Sequence, residues 1–169
     1  LQLQSGESII LQTFNHALDN VAEWKYTQEQ PVSLSLDHGW QLTFIESVPN
    51  VEGTFNIDTP TSWTELNHPH ATKTMATGKY INEINLPNIL ADDWILDLGD
   101  VRESARVRIN GQDVGTAWAV PYQLKVGKWL KPGKNTIEIE VTNLPANRIA
   151  DMDKRGEVWR IFNEINVVD

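Results

Sequence analysis

The sequence predicts an all-β fold, an antiparallel β-sandwich of the jelly-roll type, and three observations lead to it. About nine short segments are rich in β-branched and aromatic residues, and most alternate apolar with polar side chains. Turn-forming residues separate these segments at intervals that suit hairpins, and stretches with helical periodicity are scarce. Short antiparallel strands joined by tight turns are typical of two sheets packed face to face.

The predicted strands follow one another along most of the chain. They are residues 8–14, 32–36, 40–46, 78–86, 94–99, 105–110, 122–126, 135–143 and 158–168. Alternation is clearest in the eighth, where Ile137, Ile139 and Val141 share one face and glutamates occupy the other. Such alternation indicates antiparallel strands with one solvent-facing side. Residues 15–26 predict no more than a turn or two of helix, and residues 87–93 predict a short loop.

Two turns between the predicted strands have a clear chemical signature. Asn110-Gly111 is the strongest hairpin signal, because a type I′ turn needs positive φ at two successive residues. Pro132-Gly133 fits a type II turn. We expect Asn135 to brace that second turn through hydrogen bonds to nearby backbone groups.

The overall composition indicates one acidic globular domain. The chain has 169 residues and a formal net charge of −9. This charge argues against nucleic acid or an anionic membrane as a partner, since both attract basic surfaces. No apolar run approaches the ~18 residues of a membrane span. The absence of cysteine excludes disulfides, thiolate zinc sites and cysteine nucleophiles.

The domain organisation is predicted to be simple. Residues 1–169 form a single β-sandwich domain, in which residues 35–169 are the jelly-roll core. Residues 1–30 are expected to be a lead-in that completes a sheet of a neighbouring domain. The chain starts with Leu1 and shows neither a basic start nor an apolar leader. We therefore expect it to be part of a longer protein.

Seven tryptophans are the one anomaly of the composition. Aromatic rings stack on the C–H faces of sugars, which suggests carbohydrate contact; the competing interpretation is that the rings fill a β-sandwich core. Trp63 has polar neighbours on both sides and is the best candidate for an exposed loop aromatic. Trp118 has alanine and valine neighbours and is expected to pack inward. Trp159 alternates with isoleucines and is expected in the core.

Residues 94–168 carry a set of motifs that resembles a known family. They include "V-x-I-N-G-x-D-V-G-T-x-W", "L-K-P-G-x-N-T-I-E-I-E-V-T-N", "N-R-I-x-D" and a final "W-R-I-F-N-E-I-N". This pattern resembles the galactose-binding-like jelly roll of family 2 glycoside hydrolases and their relatives. It is most similar to the carboxy-terminal sandwich of family 106 α-L-rhamnosidase-like enzymes. The resemblance implies a sugar-binding or supporting domain, with catalysis in a separate barrel of a bacterial periplasmic or extracellular enzyme.

Intrinsic catalysis is not predicted for this chain. A glycosidase needs two carboxyl groups about 5 to 9 Å apart, one of them with a raised pKa. Neighbouring carboxylates such as Asp92 and Asp93 lie in solvated, acidic stretches that give little reason for such a shift. The sequence contains no G-x-S-x-G elbow, H-E-x-x-H helix or phosphate-binding glycine loop.

Metal binding is a second possibility raised by the sequence. Asp151 and Asp153 imitate the first ligands of a calcium loop, but Arg155 and Phe162 stand where two further oxygen ligands belong. An EF-hand is therefore excluded. A looser structural calcium site at Asp151 and Asp153 stays open, and no other cofactor is expected. The histidines of "NHPH", residues 67–70, are interpreted as surface residues, since no third metal ligand accompanies them.

Carbohydrate binding is the third possibility, and it needs a flat aromatic ring with a few planar polar groups. The candidates are Trp63, Asn143, Asn147 and Arg148. Arg148 could equally pair with an aspartate of the same loop and only hold that loop in place.

The function predicted from the sequence is a non-catalytic accessory domain of a glycoside hydrolase. It would bind carbohydrate or support the catalytic barrel, and its partners would be carbohydrate and the catalytic domain of the same chain. The alternatives are a purely structural sandwich without a ligand and a free-standing lectin-like module. An exposed apolar patch would favour support, and an exposed tryptophan beside asparagine and arginine would favour binding.

Overall fold

The computed structural model describes residues 1–3, 5–26, 28, 32–89 and 91–160. In chain order the regular elements are β1 (Trp40–Val48), β2 (Thr54–Ile57), β3 (Met75–Leu86), β4 (Ile95–Asp97), β5 (Ser104–Ile109), β6 (Gln112–Ala117), β7 (Gln123–Lys125), β8 (Gly133–Thr142) and α1 (Ala146–Lys154). Single-turn 3-10 helices lie at Trp63–Glu65, Ala71–Lys73 and Gly127–Trp129. No helix among these residues is long and apolar enough to cross a membrane.

The strands form two antiparallel sheets around one core. The larger sheet has six strands in the order β2-β1-β3-β8-β5-β6, and the smaller pairs β4 with β7. Val107 and Ile139 of the larger sheet and Leu96 of the smaller one belong to the same buried cluster. The predicted all-β, antiparallel fold class is therefore confirmed.

The inner face of the large sheet carries the core side chains that the alternation predicted. On β8, Ile137 and Ile139 are buried. Ile139 pairs with Tyr80 of β3 on one side and with Val107 of β5 on the other. Each aliphatic side chain removed from water in this way contributes about 1.5–3 kcal/mol.

The outer face of the same strands is ionic. The Nζ atom of Lys79 lies 3.0 Å from an oxygen of Glu138, and Nη1 of Arg108 lies 2.6 Å from an oxygen of Glu140. These pairs join β3 and β5 to the central strand β8. The apolar surface expected of a supporting domain must therefore be sought away from this part of the sheet.

Most of the predicted strands are confirmed, with ends shifted by a few residues. These are the predictions at 40–46, 78–86, 94–99, 105–110, 122–126 and 135–143. The predictions at 8–14 and 32–36 are wrong, because neither segment pairs with another strand. A strand-like sequence makes a segment suitable for a sheet, but the segment forms a strand only if a neighbouring strand pairs with it. The prediction at 158–168 falls mostly outside the described residues, and residues 158–160 form no strand.

Two elements, β2 and α1, were not predicted, and β6 was predicted only as the returning strand of the Asn110-Gly111 hairpin. The strand β2 has four residues at a sheet edge, and β6 contains Asp113 and Gly115, which are depleted in strands. The hairpin turn before β6 nevertheless returns the chain alongside β5. The helix α1 lies where the sequence predicts a loop. Its signal was the spacing of Arg148, Asp151 and Arg155, which places the three side chains on one helical face.

Both predicted turns are confirmed. Asn110 and Gly111 have φ of 52° and 78°, the left-handed conformation that a type I′ turn needs at both positions. Gly133 has φ of 83°, as expected for a type II turn. The Asn135 side chain accepts a bond from Lys131 N (3.0 Å) and donates one to Lys131 O (2.6 Å), so it braces the turn as predicted.

Candidate functional site

The Trp118 loop, residues 118–122, connects β6 to β7 and exposes a large aromatic ring. Trp118 is 76% exposed, so the prediction that it packs inward is wrong. Ala117, the last residue of β6, is buried. Since successive side chains of a strand point to opposite faces, the next ring is directed away from the core. Val120 in the same loop is exposed as well.

The chain that follows β4 lies beside the Trp118 loop. Leu98 N donates a 2.9 Å bond to Tyr122 O and joins the two segments. A few residues on, Arg102 donates two bonds of 2.8 Å to the carboxylate of Asp100. The hydrogen bond from Arg102 holds the pKa of Asp100 below its ordinary value. A charged, exposed pair therefore accompanies the apolar loop.

The N-terminal segment, residues 1–3 and 5–26, forms neither strand nor helix. It reaches the Trp118 loop at Gly6, where an added Cβ would lie 3.1 Å from Cγ1 of Val120. Many of its side chains are large, apolar and exposed: Leu1, Leu3, Ile9, Ile10, Leu11, Phe14, Leu18, Val21, Trp24 and Tyr26. The segment and the loop adjoin, and both present apolar groups to solvent.

Trp63, the predicted exposed sugar-stacking residue, is in the core. Its ring is 8% exposed, so the prediction of an exposed loop aromatic is wrong. The indole Nε1–H donates a 2.7 Å bond to the hydroxyl of Tyr80, and the ring meets Phe44 edge-on at 5.0 Å between centroids. Burial raises the pKa of Tyr80, while the bond from Trp63 opposes that rise. Polar sequence neighbours misled the prediction, because Trp63 lies on a single 3-10 turn that directs it inward.

Asn143, another predicted sugar contact, ties two strands together. Its side-chain oxygen accepts a 2.9 Å bond from Ala76 N, and its side-chain nitrogen donates a 3.0 Å bond to Thr74 O. These bonds fix the end of β8 to the start of β3. Asn147 is exposed in the first turn of α1.

Arg148 pairs with an aspartate, as one of the two sequence interpretations predicted. Its Nη1 atom lies 3.4 Å from Oδ2 of Asp151, one helical turn further along α1. The structure does not place Arg148 beside an exposed aromatic ring of the predicted set. The sugar-binding role of these residues stays a prediction.

The two aspartates of the predicted calcium site lie on α1 rather than in a loop. Asp151 contacts three basic side chains: Arg148 at 3.4 Å, Arg155 at 2.9 Å and Lys73 at 3.5 Å. Burial alone would raise its pKa, but Arg155 and Lys73 together hold the pKa below the ordinary value. Asp153 accepts a 3.2 Å bond from the indole of Trp159. The calcium assignment stays a prediction.

The histidine pair of the loop before β3 makes backbone contacts. His70 Nδ1–H donates a 2.7 Å bond to Asn50 O, and His68 Nδ1 accepts from His70 N at 3.3 Å. Among the residues that the structure describes, no group of three or more histidines and carboxylates is placed to hold a metal ion.

A second feature that the sequence did not reveal lies at the other end of the β4–β7 pair. It is an open pocket of about 560 Å³, lined by Asp92, Asp93, Lys125, Gly127, Lys128 and Trp129. Aromatic, acidic and basic groups meet there because β4 begins beside the residue that ends β7: Ile95 pairs with Lys125.

Comparison with known proteins places the chain in a family. A family model described as "Glycosyl hydrolase 2 galactose-binding domain-like" matches residues 63–168, more than half of the chain. The chain belongs to this family. The resemblance to galactose-binding-like domains of glycoside hydrolases, predicted from the motifs, is confirmed.

Relatives of this galactose-binding-like domain are much longer proteins. A rhamnosidase structure from Novosphingobium sp. PP1Y matches 85% of the chain at 28% identity with a TM-score of 0.69. A protein named as a β-glucuronidase from Formosa agariphila is 46% identical over 59 residues, 35% of the chain. The chain spans 14% of the first and 5% of the second. The β-D-glucuronidase structure of Dictyoglomus thermophilum shares the fold over 64% of the chain and 19% of its own length, at 19% identity and a TM-score of 0.54.

Proposed function

We propose that this chain is a non-catalytic accessory domain of a glycoside hydrolase. In this proposal the N-terminal segment and the Trp118 loop pack against the catalytic domain of the same polypeptide, in an enzyme exported to the bacterial periplasm or exterior. The family assignment supports the parent class, and the apolar surface supports the docking role.

The exposed apolar side chains carry the docking proposal. Ile10 is 98% exposed, and most of its large apolar neighbours in the segment are at least partly exposed. Covering one such side chain contributes about 1.5–3 kcal/mol. Soluble proteins rarely leave contiguous apolar surface uncovered, and such surface commonly marks an interface. In the similar rhamnosidase most of the polypeptide lies outside the matched region, so the parent class offers a partner in the same chain.

Four aspartates among the described residues lie in surroundings that favour the charged carboxylate. Asp37, Asp100, Asp113 and Asp151 have shifted pKa values, and all four are shifted downwards. For Asp100 and Asp113 the main cause is a hydrogen bond from a neighbouring arginine. A glycosidase acid needs the opposite shift, because it must hold a proton near neutral pH.

Hydrogen exchange can test the docking role. Exchange at residues 5–26 would be compared between the 169-residue chain and the longer enzyme that contains it. We expect fast exchange in the chain alone and slower exchange in the enzyme. Equal exchange in both proteins would contradict docking.

Matched variants sharpen this test. Ile10→Ser should change the stability of the 169-residue chain by no more than about 0.5 kcal/mol, as for other exposed positions. In the longer enzyme the same change should lower the stability of the docked domain by about 1.5–3 kcal/mol. Val158→Ser is the control, since Val158 is 90% exposed but lies outside the N-terminal segment and the Trp118 loop; it should be neutral in both proteins.

A further inference from the structure

The turn between β5 and β6 contains the one Asn-Gly pair of the sequence, Asn110-Gly111. Asparagine followed by glycine is especially prone to spontaneous deamidation, because glycine has no side chain to hinder the approach of its backbone nitrogen to the asparagine amide. Gly111 is exposed, and a Cβ added to it would meet no heavy atom within 4 Å. Water therefore has access to the backbone of this turn.

Deamidation at this turn would need only water and a base. The Gly111 backbone nitrogen gives its proton to the base and attacks Cγ of Asn110, so that a new C–N bond forms. The bond from Cγ to Nδ2 breaks, and the leaving nitrogen takes the proton back and departs as ammonia. Water then opens the cyclic succinimide at either carbonyl carbon, which yields aspartate or isoaspartate at this position.

The folded structure holds the Asn110 amide through both of its polar atoms. Nδ2 donates 2.9 Å bonds to Trp129 O and to Asn135 Oδ1. Oδ1 accepts a 3.1 Å bond from Thr136 N. Attack by Gly111 would make Cγ tetrahedral, whereas these bonds require a planar amide with its nitrogen and oxygen in their present positions. The bonds must therefore break before the reaction can proceed.

The groups that hold the Asn110 amide are themselves fixed. Asn135 is 1% exposed. Its Oδ1 accepts a 3.0 Å bond from Lys131 N, and its Nδ2 donates to Lys131 O at 2.6 Å and to Gly133 O at 2.9 Å. The backbone N–H of Asn110 also donates a 2.9 Å bond to Thr136 O. This Asn110–Asn135 junction ties the β5–β6 turn to the start of β8.

The product of deamidation does not fit the junction. A carboxylate only accepts hydrogen bonds, and here it would face Trp129 O and Asn135 Oδ1, two further acceptors. Asn135 cannot turn its amide over to supply a donor without losing the bond from Lys131 N. Desolvation and repulsion therefore both oppose the new charge. Isoaspartate would in addition lengthen the backbone of a two-residue turn whose geometry sets the strand register.

We propose that Asn110 is a deamidation site that the folded domain closes and that detachment of the β5–β6 hairpin exposes. A chain modified while the hairpin is open cannot rebuild the junction, so its loss of stability is permanent. The open state is rarer by a factor of about two to ten for each bond that must break, or about ten- to thousandfold for the three side-chain bonds together. This inference is independent of the accessory role proposed above.

Ageing of the 169-residue chain at mildly alkaline pH, in buffer and in urea that unfolds it, tests the protection. Peptide mapping by mass spectrometry follows deamidation at Asn110, and a peptide of residues 105–117 gives the rate of an unfolded turn in each solvent. Relative to this peptide, the chain should react at a similar rate in urea and about ten- to thousandfold more slowly in buffer. Gly111→Ala should slow the reaction in urea, where folding is not at issue. Equal relative rates in buffer and urea overturn the protection, and an unmodified Asn110 in urea overturns the site.

Variants of Asn110 test the junction. Asn110→Asp should lower the melting temperature by about 2–10 °C. Asn110→Gly is the matched control and should lower it less, because glycine keeps the positive φ without adding a charge. The deficit of Asn110→Asp relative to the parent chain should shrink as the pH falls, since a protonated carboxyl regains one donor. The junction is overturned if Asn110→Asp melts with the parent chain or above Asn110→Gly.

A measurement on the parent chain keeps this test valid even if Asn110→Asp fails to fold. Chain aged in urea would be diluted into buffer, and the folded monomer would be separated by gel filtration. We expect chains modified at Asn110 to be depleted from this folded fraction. The same proportion of modified chains in the folded fraction and in the urea sample would overturn the proposed loss of stability.

Discussion

Truncation of Trp63 tests most directly whether its ring fills the core or lies exposed as a sugar-stacking surface. A solvent-exposed stacking residue can be removed at little cost in stability, whereas a core indole cannot. Trp63 is 8% exposed and meets Phe44 and Tyr80 inside the core. We therefore expect Trp63→Ala to lower the free energy of unfolding by about 3–5 kcal/mol. Trp118→Ala is the matched control, and it should change this free energy by no more than about 0.5 kcal/mol.

The hydrogen bond between Trp63 and Tyr80 can be isolated with smaller changes. Tyr80→Phe leaves the buried Nε1–H of Trp63 without its acceptor, which should cost about 1–3 kcal/mol. Trp63→Phe removes the donor and part of the ring. Because the two residues share this bond, the double variant should lose less stability than the sum of the single variants, with a coupling energy of about 0.5–3 kcal/mol.

Urea unfolding followed by circular dichroism measures all these variants, provided that the transition is two-state. A Trp63→Ala variant as stable as Trp118→Ala, or Trp63 and Tyr80 effects that simply add, would contradict these expectations. Simple additivity would mean that the hydrogen bond adds nothing to stability, and a neutral Trp63→Ala would mean that the ring is not held in the core. The prediction that Trp63 is an exposed sugar-stacking ring would then hold again.

Three further perturbations test other parts of the structure. Gly78→Ala should cost about 1–3 kcal/mol in urea unfolding, since its Cβ would lie 2.8 Å from the Trp63 ring. Asn135→Ala should cost about 1–3 kcal/mol by leaving buried turn groups without partners; a neutral result would contradict the bracing role. Asp151 has a lowered pKa, so its contribution to stability is present above the ordinary value of 3.8 and is lost as pH falls through the folded-state pKa. Asp151→Asn should therefore destabilise the protein at pH 7 and match the parent protein at low pH, as pH-dependent melting would show.

The parts of the fold that were predicted are those in which local sequence and tertiary environment agree. The strand β8 alternates, pairs on both sides and is bounded by a turn whose residues allow one conformation. The segment at residues 8–14 is rich in residues typical of strands, yet it pairs with no strand among the residues that the structure describes, and no local pattern reports that. The strand β6 shows the reverse case. Its composition is poor for a strand, but the preceding hairpin turn determines its path.

The candidate site was harder to predict than the fold because exposure is a property of the whole structure. Trp63 has polar neighbours but points into the core, and Trp118 has apolar neighbours but points outward. The alternation of side-chain direction along a strand offered a usable signal for Trp118, since the core residue Ala117 precedes it directly. The pocket beside Trp129 left no such signal, because its lining comes from chain segments about 35 residues apart, joined only by the pairing of β4 with β7.

The ionic outer face of the large sheet helps to fix the alignment of its strands. Lys79, Arg108, Glu138 and Glu140 all lie on the side opposite the core. A slip of β8 by one residue would turn both glutamates towards the apolar interior and bring Ile137 and its neighbours into water. The desolvation of two carboxylates would oppose any such misaligned intermediate strongly. The charges on this face therefore select one strand alignment during folding, even where each partly exposed pair adds little to the final stability.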